Sequence, residues 1–222
     1  MRFEIITTVA FIFICAVTNG QPNQTIKNKT IDLTDNTSNS SHITLKIESG
    51  VKSKELIDFY QFERINYYNL IISGSKIGNQ YFILTSEEFW NSKLTQKDTL
   101  ANTKLYNFKN GSDTLEFRVM SKSIYTDTVK FQFYLPRFST FKKYKTLPRD
   151  IYSLRDITSG QIQTFDRTNP IIFLAYSLPY EDPKKPGHMF YCQLSKDGIP
   201  PEKWGEKFGV KHYIIFKIHL ID

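Results

Sequence analysis

The chain has 222 residues, 40% of them hydrophobic and 15% aromatic, and 29 Lys and Arg against 22 Asp and Glu leave a net charge of +7. That is enough apolar material for the core of one domain, or two small ones, and it excludes wholesale disorder. Ten Gly and nine Pro exclude a collagen-like chain, and two Cys exclude a disulfide scaffold and a Cys-cluster zinc module.

Residues 1–20 hold a basic residue, Arg2, then an apolar stretch from Ile5 to Val17, then Thr18-Asn19-Gly20. This is the layout of a cleaved secretory signal, and the stretch is too short to span a bilayer. Secretion into the extracellular space is the expectation, with the mature chain starting near Gln21. Arg2 and Glu4 cancel, so the mature chain keeps the whole basic surplus.

Residues 21–42 are dominated by Asn, Thr, Ser, Gln, Lys and Asp and contain no aromatic residue. Such a segment buries too little surface to offset the entropy of ordering, and it is read as a flexible arm. Four N-x-S/T sequons, at Asn23, Asn28, Asn36 and Asn39, mark the arm for glycosylation, and a fifth lies at Asn110. Loss of the signal also removes Cys15 and leaves Cys192 as a free thiol. Its readings are a buried small hydrophobe on a strand, an intermolecular disulfide or a reactive group.

Residues 43–222 are expected to form a single β-rich domain, which suits 18 Phe and 13 Tyr. Ile43, Leu45 and Ile47 alternate on a first strand. From Ser53 to about Arg64 the apolar spacing turns helical, with Leu56, Phe59 and Tyr60 on one side. Residues 67–73 and 80–85 read as a hairpin across Gly74–Asn79. Thr85-Ser-Glu-Glu88 matches a capping box, so Phe89 and Trp90 are expected to open a short helix.

Lys104–Lys109 and Thr114–Ser121 flank Asn110-Gly111, a strong hairpin signal that would put the fifth sequon on an exposed tip. Val129, Phe131, Phe133 and Leu135 alternate up to Pro136. Strands are expected at Ile171–Leu178 and Met189–Leu194, a short helix from Pro200-Pro201 through Lys207, and a closing strand over Val210–Ile221. The sum is a mainly β, antiparallel two-sheet sandwich or barrel-like body with two or three short helices and a disordered N-terminal arm.

No catalytic signature is found. On a strand, the four-residue spacing of His188 and Cys192 separates the side chains by about 13 Å, too far for one metal. His212 and His219 point to opposite faces. There is no HExxH, no calcium loop, no G-x-S-x-G elbow and no phosphate-binding glycine loop. The chain is read as non-catalytic, with no cofactor or metal.

The basic surplus gathers in one place. Arg137, Lys142, Lys143, Lys145 and Arg149 fall within 13 residues that hold three aromatics and no acid. Following the Pro136 break, this reads as a long loop or edge segment. It is either a solvated connector or a docking surface for an extracellular protein or an anionic glycan. Phe138, Phe141 and Tyr144 are expected to anchor it on the core. The secretory address keeps nucleic acid away.

The signal Met1–Gly20, the sequon-dense arm Asn23–Asn39 and a Cys-poor aromatic body with segments such as Tyr81-Phe-Ile-Leu-Thr-Ser-Glu-Glu-Phe-Trp90 resemble the layout of salivary glycoproteins of blood-feeding arthropods. The chain is similar in particular to tick salivary immunosuppressant proteins. The resemblance implies immunomodulation by binding host cells or factors, without catalysis. The alternative is a carrier of a small hydrophobic ligand in an aromatic-lined cavity.

Overall fold

The computed structural model describes residues 42–148, 151–158, 160–181, 186–191 and 198–222. The signal, the arm sequons Asn23, Asn28, Asn36 and Asn39, and Arg149 and Cys192 lie outside these residues.

The chain runs through β1 (His42–Ser49), α1 (Lys54–Phe62), β2 (Asn66–Ser73), β3 (Tyr81–Trp90) and β4 (Lys93–Asn102). It continues with β5 (Thr114–Tyr125), β6 (Thr128–Tyr134), β7 (Ser139–Lys145), β8 (Ser153–Asp156) and β9 (Gln163–Asp166). Then follow β10 (Ile171–Ser177), the two-residue strands β11 (Tyr180–Glu181) and β12 (Met189–Phe190), α2 (Trp204–Phe208) and β13 (His212–Ile221). Six strands form one antiparallel sheet in the order β7-β6-β5-β2-β1-β9, and five form a second in the order β4-β3-β13-β10-β8. The two pack face to face as a sandwich-like body.

Alternation places the core. Ile43, Leu45 and Ile47 of β1, Leu70 and Ile72 of β2, Leu115, Phe117 and Val119 of β5, and Val129, Phe131 and Phe133 of β6 face inward from the first sheet. Phe82 and Leu84 of β3, Phe173 and Leu174 of β10, and Ile214, Phe216 and Ile218 of β13 meet them. Phe216 touches the rings of Phe131, Phe133, Tyr144 and Phe173 at centroid distances of 4.8–6.4 Å. The space between the sheets at this level is filled by interlocked rings, the packing that aromatic pairs prefer.

The other face of β13 is covered as well. Tyr213 and Ile215 join Phe89, Ala175 and Trp204 in a second buried cluster under α2. The Tyr213 hydroxyl donates to the Glu202 carbonyl, 3.1 Å, and Tyr213 stacks on Phe89 at 4.7 Å. β13 is thus a central strand buried on both sides.

Four sequence expectations are corrected. Residues 67–73 and 80–85 do not form a hairpin, because β2 pairs with β1 and β5 while β3 pairs with β4 and β13. The Gly74–Gln80 connection carries the chain from one sheet to the other, pinned by the fully buried Ile77. A side chain at Gly74 would meet Ile43 Cγ2 at 2.7 Å, so only glycine lets the crossing chain lie this close to β1.

Thr85–Glu88 does not cap a helix. β3 continues through Trp90 and turns into β4 at Asn91 and Ser92, both at positive φ as a tight two-residue hairpin needs. Asn110-Gly111 is not a hairpin tip either. Thr103–Tyr106 forms a 3-10 turn, and the Asn110 and Gly111 N–H groups donate to Gln80 and Gly78 carbonyls, tying this segment to the crossover. Lastly, β7 is an edge strand, so its aromatics divide: Tyr144 is buried, Phe141 is 59% exposed on the outer face and Phe138 lies at the turn.

Removing Phe131 should lower stability by about 3–5 kcal/mol, since the ring leaves a cavity among packed neighbours. Phe141→Ala should cost less than about 1 kcal/mol, because that ring faces solvent. Urea unfolding midpoints of the two variants check this; equal losses would place Phe141 in the core.

Candidate functional site

The cationic run 137–149 does not stay together. β7 sends alternate side chains to opposite faces, so Lys142 turns toward the mouth between the sheets while Lys143 and Lys145 turn outward. Lys142 pairs with Asp98 of β4 at 3.1 Å and helps to close one side of the sandwich. Beside it, the hydroxyls of Ser86 and Tyr144 are hydrogen-bonded, and burial pushes the Tyr144 phenol well above its ordinary range. Lys145 pairs with Asp127 at 3.0 Å; this contact and the Thr128 hydroxyl hold the Asp127 carboxyl below its ordinary range.

Lys143 acquires new neighbours instead. It stands directly opposite Lys130 of β6, and Lys130 stands directly opposite Lys122 of β5. Three lysines therefore form a row across three strands of the first sheet's outer face. Side chains so placed start about 5 Å apart, and like charges in this position oppose each other. Lys122 is paired with Glu63 beyond α1, whereas Lys130 and Lys143 face no carboxylate among the described residues. Lys130 lies 5.0 Å from the Phe141 ring centroid across β6 and β7, and Arg118 lies 5.4 Å from that of Tyr134 across β5 and β6. The outer face of β5–β6–β7 is a surface of cations stacked with rings.

Arg118, Lys122 and Lys130 were not legible as site residues, since they lie on β5 and β6 and reach the β7 run only through register. Their signal is position: each occupies a polar position next to buried residues on a strand with one inward face.

A second feature lies at the open edge where β4 and β7 approach each other. A cavity of about 700 Å3 is lined by Leu100, Leu105, Tyr106 and Phe108 on one side and by Arg137 and Phe138 on the other. Leu105 and Tyr106 are 77% and 79% exposed. The Arg137 guanidinium stacks on Phe108 at 4.2 Å from the ring centroid, and Phe108 meets Phe138 edge-on.

Asn110, the described sequon, adjoins this edge. Its side-chain amide donates to the carbonyls of Ser112 and, at 3.1 Å, Thr114, so the side chain is folded onto its own turn. A Cβ placed on the next residue, Gly111, would lie 3.8 Å from Arg137 Nη2.

The adjacent carboxylates of Glu87 and Glu88 are both buried and point to opposite faces of β3. Glu88 accepts from Trp90 Nε1 at 2.9 Å and sits 3.0 Å from Nε2 of the fully buried His212, whose Nδ1 is 2.6 Å from the Tyr152 hydroxyl. That carboxylate–imidazole–phenol chain ties β3 and β13 to Tyr152, whose hydroxyl also accepts from the Leu147 N–H. Among the described residues no group of three or more His, Cys, Asp or Glu is placed to hold a metal ion.

On the opposite face Glu87 meets Lys97 at 3.0 Å and Lys217 at 2.8 Å, and Lys217 also meets Glu202 at 2.7 Å. Burial alone would raise the Glu87 carboxyl, but the two lysines outweigh it and hold it below its ordinary range. Burial likewise disfavours the Lys217 ammonium, yet the two carboxylates raise it. A lowered carboxyl stabilises the fold above the ordinary carboxylate range and loses that contribution as pH falls through its folded value. A raised ammonium loses its contribution as pH climbs above the ordinary lysine range. Glu87→Gln should therefore be less stable than the parent at about pH 7, with the gap narrowing as pH falls below the ordinary carboxylate range, in urea titrations over that range. A gap independent of pH would mean that the carboxylate is not held low.

No protein family, curated protein or solved structure was found to match this chain.

Proposed function

We propose that the chain is a secreted, non-catalytic glycoprotein that binds an anionic extracellular macromolecule through the outer face of β5–β6–β7. The observation that carries this reading is the Lys122–Lys130–Lys143 row, in which two ammonium groups oppose each other without a carboxylate between them. Such a row costs the isolated sheet about 0.2–1 kcal/mol per opposed pair. A polyanion lying across the strands would turn that repulsion into attraction, and the rings of Phe141 and Tyr134 would supply apolar contact beside it. The signal pattern of residues 1–20 and the sequon-rich arm support export. No helix among the described residues is long and apolar enough to cross a membrane. The resemblance to tick salivary immunosuppressant proteins accords with a host macromolecule as the partner.

The test is retention on a sulfated-polysaccharide column across a salt gradient. The Lys130→Gln/Lys143→Gln protein should elute at clearly lower salt than the parent, because summed fields from exposed cations are screened beyond about 8 Å at physiological ionic strength. Its stability should be equal or up to about 1 kcal/mol higher, since an opposed like-charge pair is gone. Lys145→Gln, which removes a cation already paired with Asp127, should shift elution far less. Equal elution of parent and double variant would remove the reading.

A further inference from the structure

The cavity between the β4 edge and the β6–β7 turn is built in a way that the polyanion face does not require. We propose that it is a binding site for a small apolar molecule carrying a single anionic head, with the head on Arg137 and the body against Leu100, Leu105, Phe108 and Phe138.

The first argument is rigidity. Leu105 and Tyr106 face solvent, yet the 3-10 turn that presents them is tightly held. The buried Thr103 hydroxyl bonds the Phe82 N–H at 2.9 Å and lies 3.3 Å from the Phe82 carbonyl. Asn102 Oδ1 caps the Lys104 N–H at 3.1 Å, and Asn107, at φ 51°, ends the turn with its Oδ1 bonded to the Tyr81 hydroxyl. The Lys104 ammonium donates to the Asp222 carbonyl at 2.7 Å. A backbone held in this way does not have to be ordered when a ligand covers the apolar side chains it presents.

The second argument is charge, and it is independent of the first. No Asp or Glu among the described residues lines the cavity. The nearest carboxylate in sequence, Asp98, is neutralised by Lys142. Arg137 spends its flat face on Phe108, while its N–H edge has neither a carboxylate nor a hydrogen-bond acceptor among the described residues. A guanidinium stacked on a ring is held in one plane, and its free donors match the two oxygens of a carboxylate or sulfonate. The other lining groups, Thr99, Asn102, Ser139 and Thr140, can hydrogen-bond a head group without neutralising it.

The third is size. About 700 Å3 lies inside the range of roughly 300–1,000 Å3 common for small-molecule sites, and apolar walls with one oriented charged group are their usual composition. The edge is open to solvent, so entry needs no rearrangement of the packed rings behind it.

The test uses two fluorescent probes of matched shape, anilinonaphthalenesulfonate and the uncharged phenylnaphthylamine, titrated into the full-length protein. Both should bind saturably at one site. Arg137→Gln should weaken the sulfonate at least tenfold and the uncharged probe less than twofold, with Arg137→Lys between. Leu105→Glu, at an exposed position, should weaken both probes. Lys130→Gln/Lys143→Gln should change neither, which separates this site from the outer-face surface whatever the column shows. The proposal is overturned if the parent binds neither probe, if Arg137→Gln leaves the sulfonate within twofold, or if Lys130→Gln/Lys143→Gln weakens it as much as Arg137→Gln does.

Discussion

β13 is buried on both faces, and the rest of the structure is arranged around that constraint. Its inward residues Ile214, Phe216 and Ile218 meet the six-stranded sheet, while Tyr213 and Ile215 require a second cover, which α2 and its flanking 3-10 turn provide. A central strand hydrophobic on both sides leaves few places for polar groups, and each one present is matched. Lys217 emerges between Glu87 and Glu202, and His212 is enclosed by Glu88, Tyr152 and Trp90. Buried charges kept in pairs avoid the large cost of isolation, and they add direction that apolar packing lacks.

The same geometry sorts the surface. Residues adjacent in sequence are sent to opposite faces of a strand, and residues far apart are aligned across it. Lys142 and Lys143 are neighbours along the chain, yet one closes the sandwich edge through Asp98 and the other extends a row begun by Lys122. Arg137, outside the strand, belongs to a third environment at the turn. With Lys145 paired to Asp127, a basic run in the sequence has become four separate electrostatic settings.

What could be read from the sequence follows from where the information lies. β1, β6 and α1 were legible because each has one buried face or one amphipathic stripe with a clear period, and Ser53 accepts from the Leu56 N–H as a helix cap should. β4 was missed because only Ala101 of its ten residues is buried, so Lys93–Asn102 carries no alternation. The Gly74–Asn79 and Asn110-Gly111 signals do mark turns, but a turn does not name the strand that follows it. Here Ile77 and Thr103, both buried, decide the path. Glu87-Glu88 imitated a helix start because the partners that allow a strand to bury them, Lys97, Lys217 and His212, lie up to 130 residues away. The candidate surfaces were half visible: their basic character showed in composition, but Arg118, Lys122 and Lys130 join them only through register.

The centre of the five-stranded sheet is supplied by residues 212–221, and this has a kinetic consequence. More than a hundred residues separate Trp90 from its partner His212, so at about 5–20 residues per second β3 emerges several seconds before the strand that will cover it. Through that interval Phe82, Leu84 and an unsatisfied row of backbone amides are available to any other extended chain, which is the state from which aggregation starts. In the six-stranded sheet the long wait falls on an edge, where β1 meets β9 more than a hundred residues later, while β5, β6 and β7 pair in succession. Its hairpins can form as they appear, whereas the second sheet is assembled last and around its own final strand.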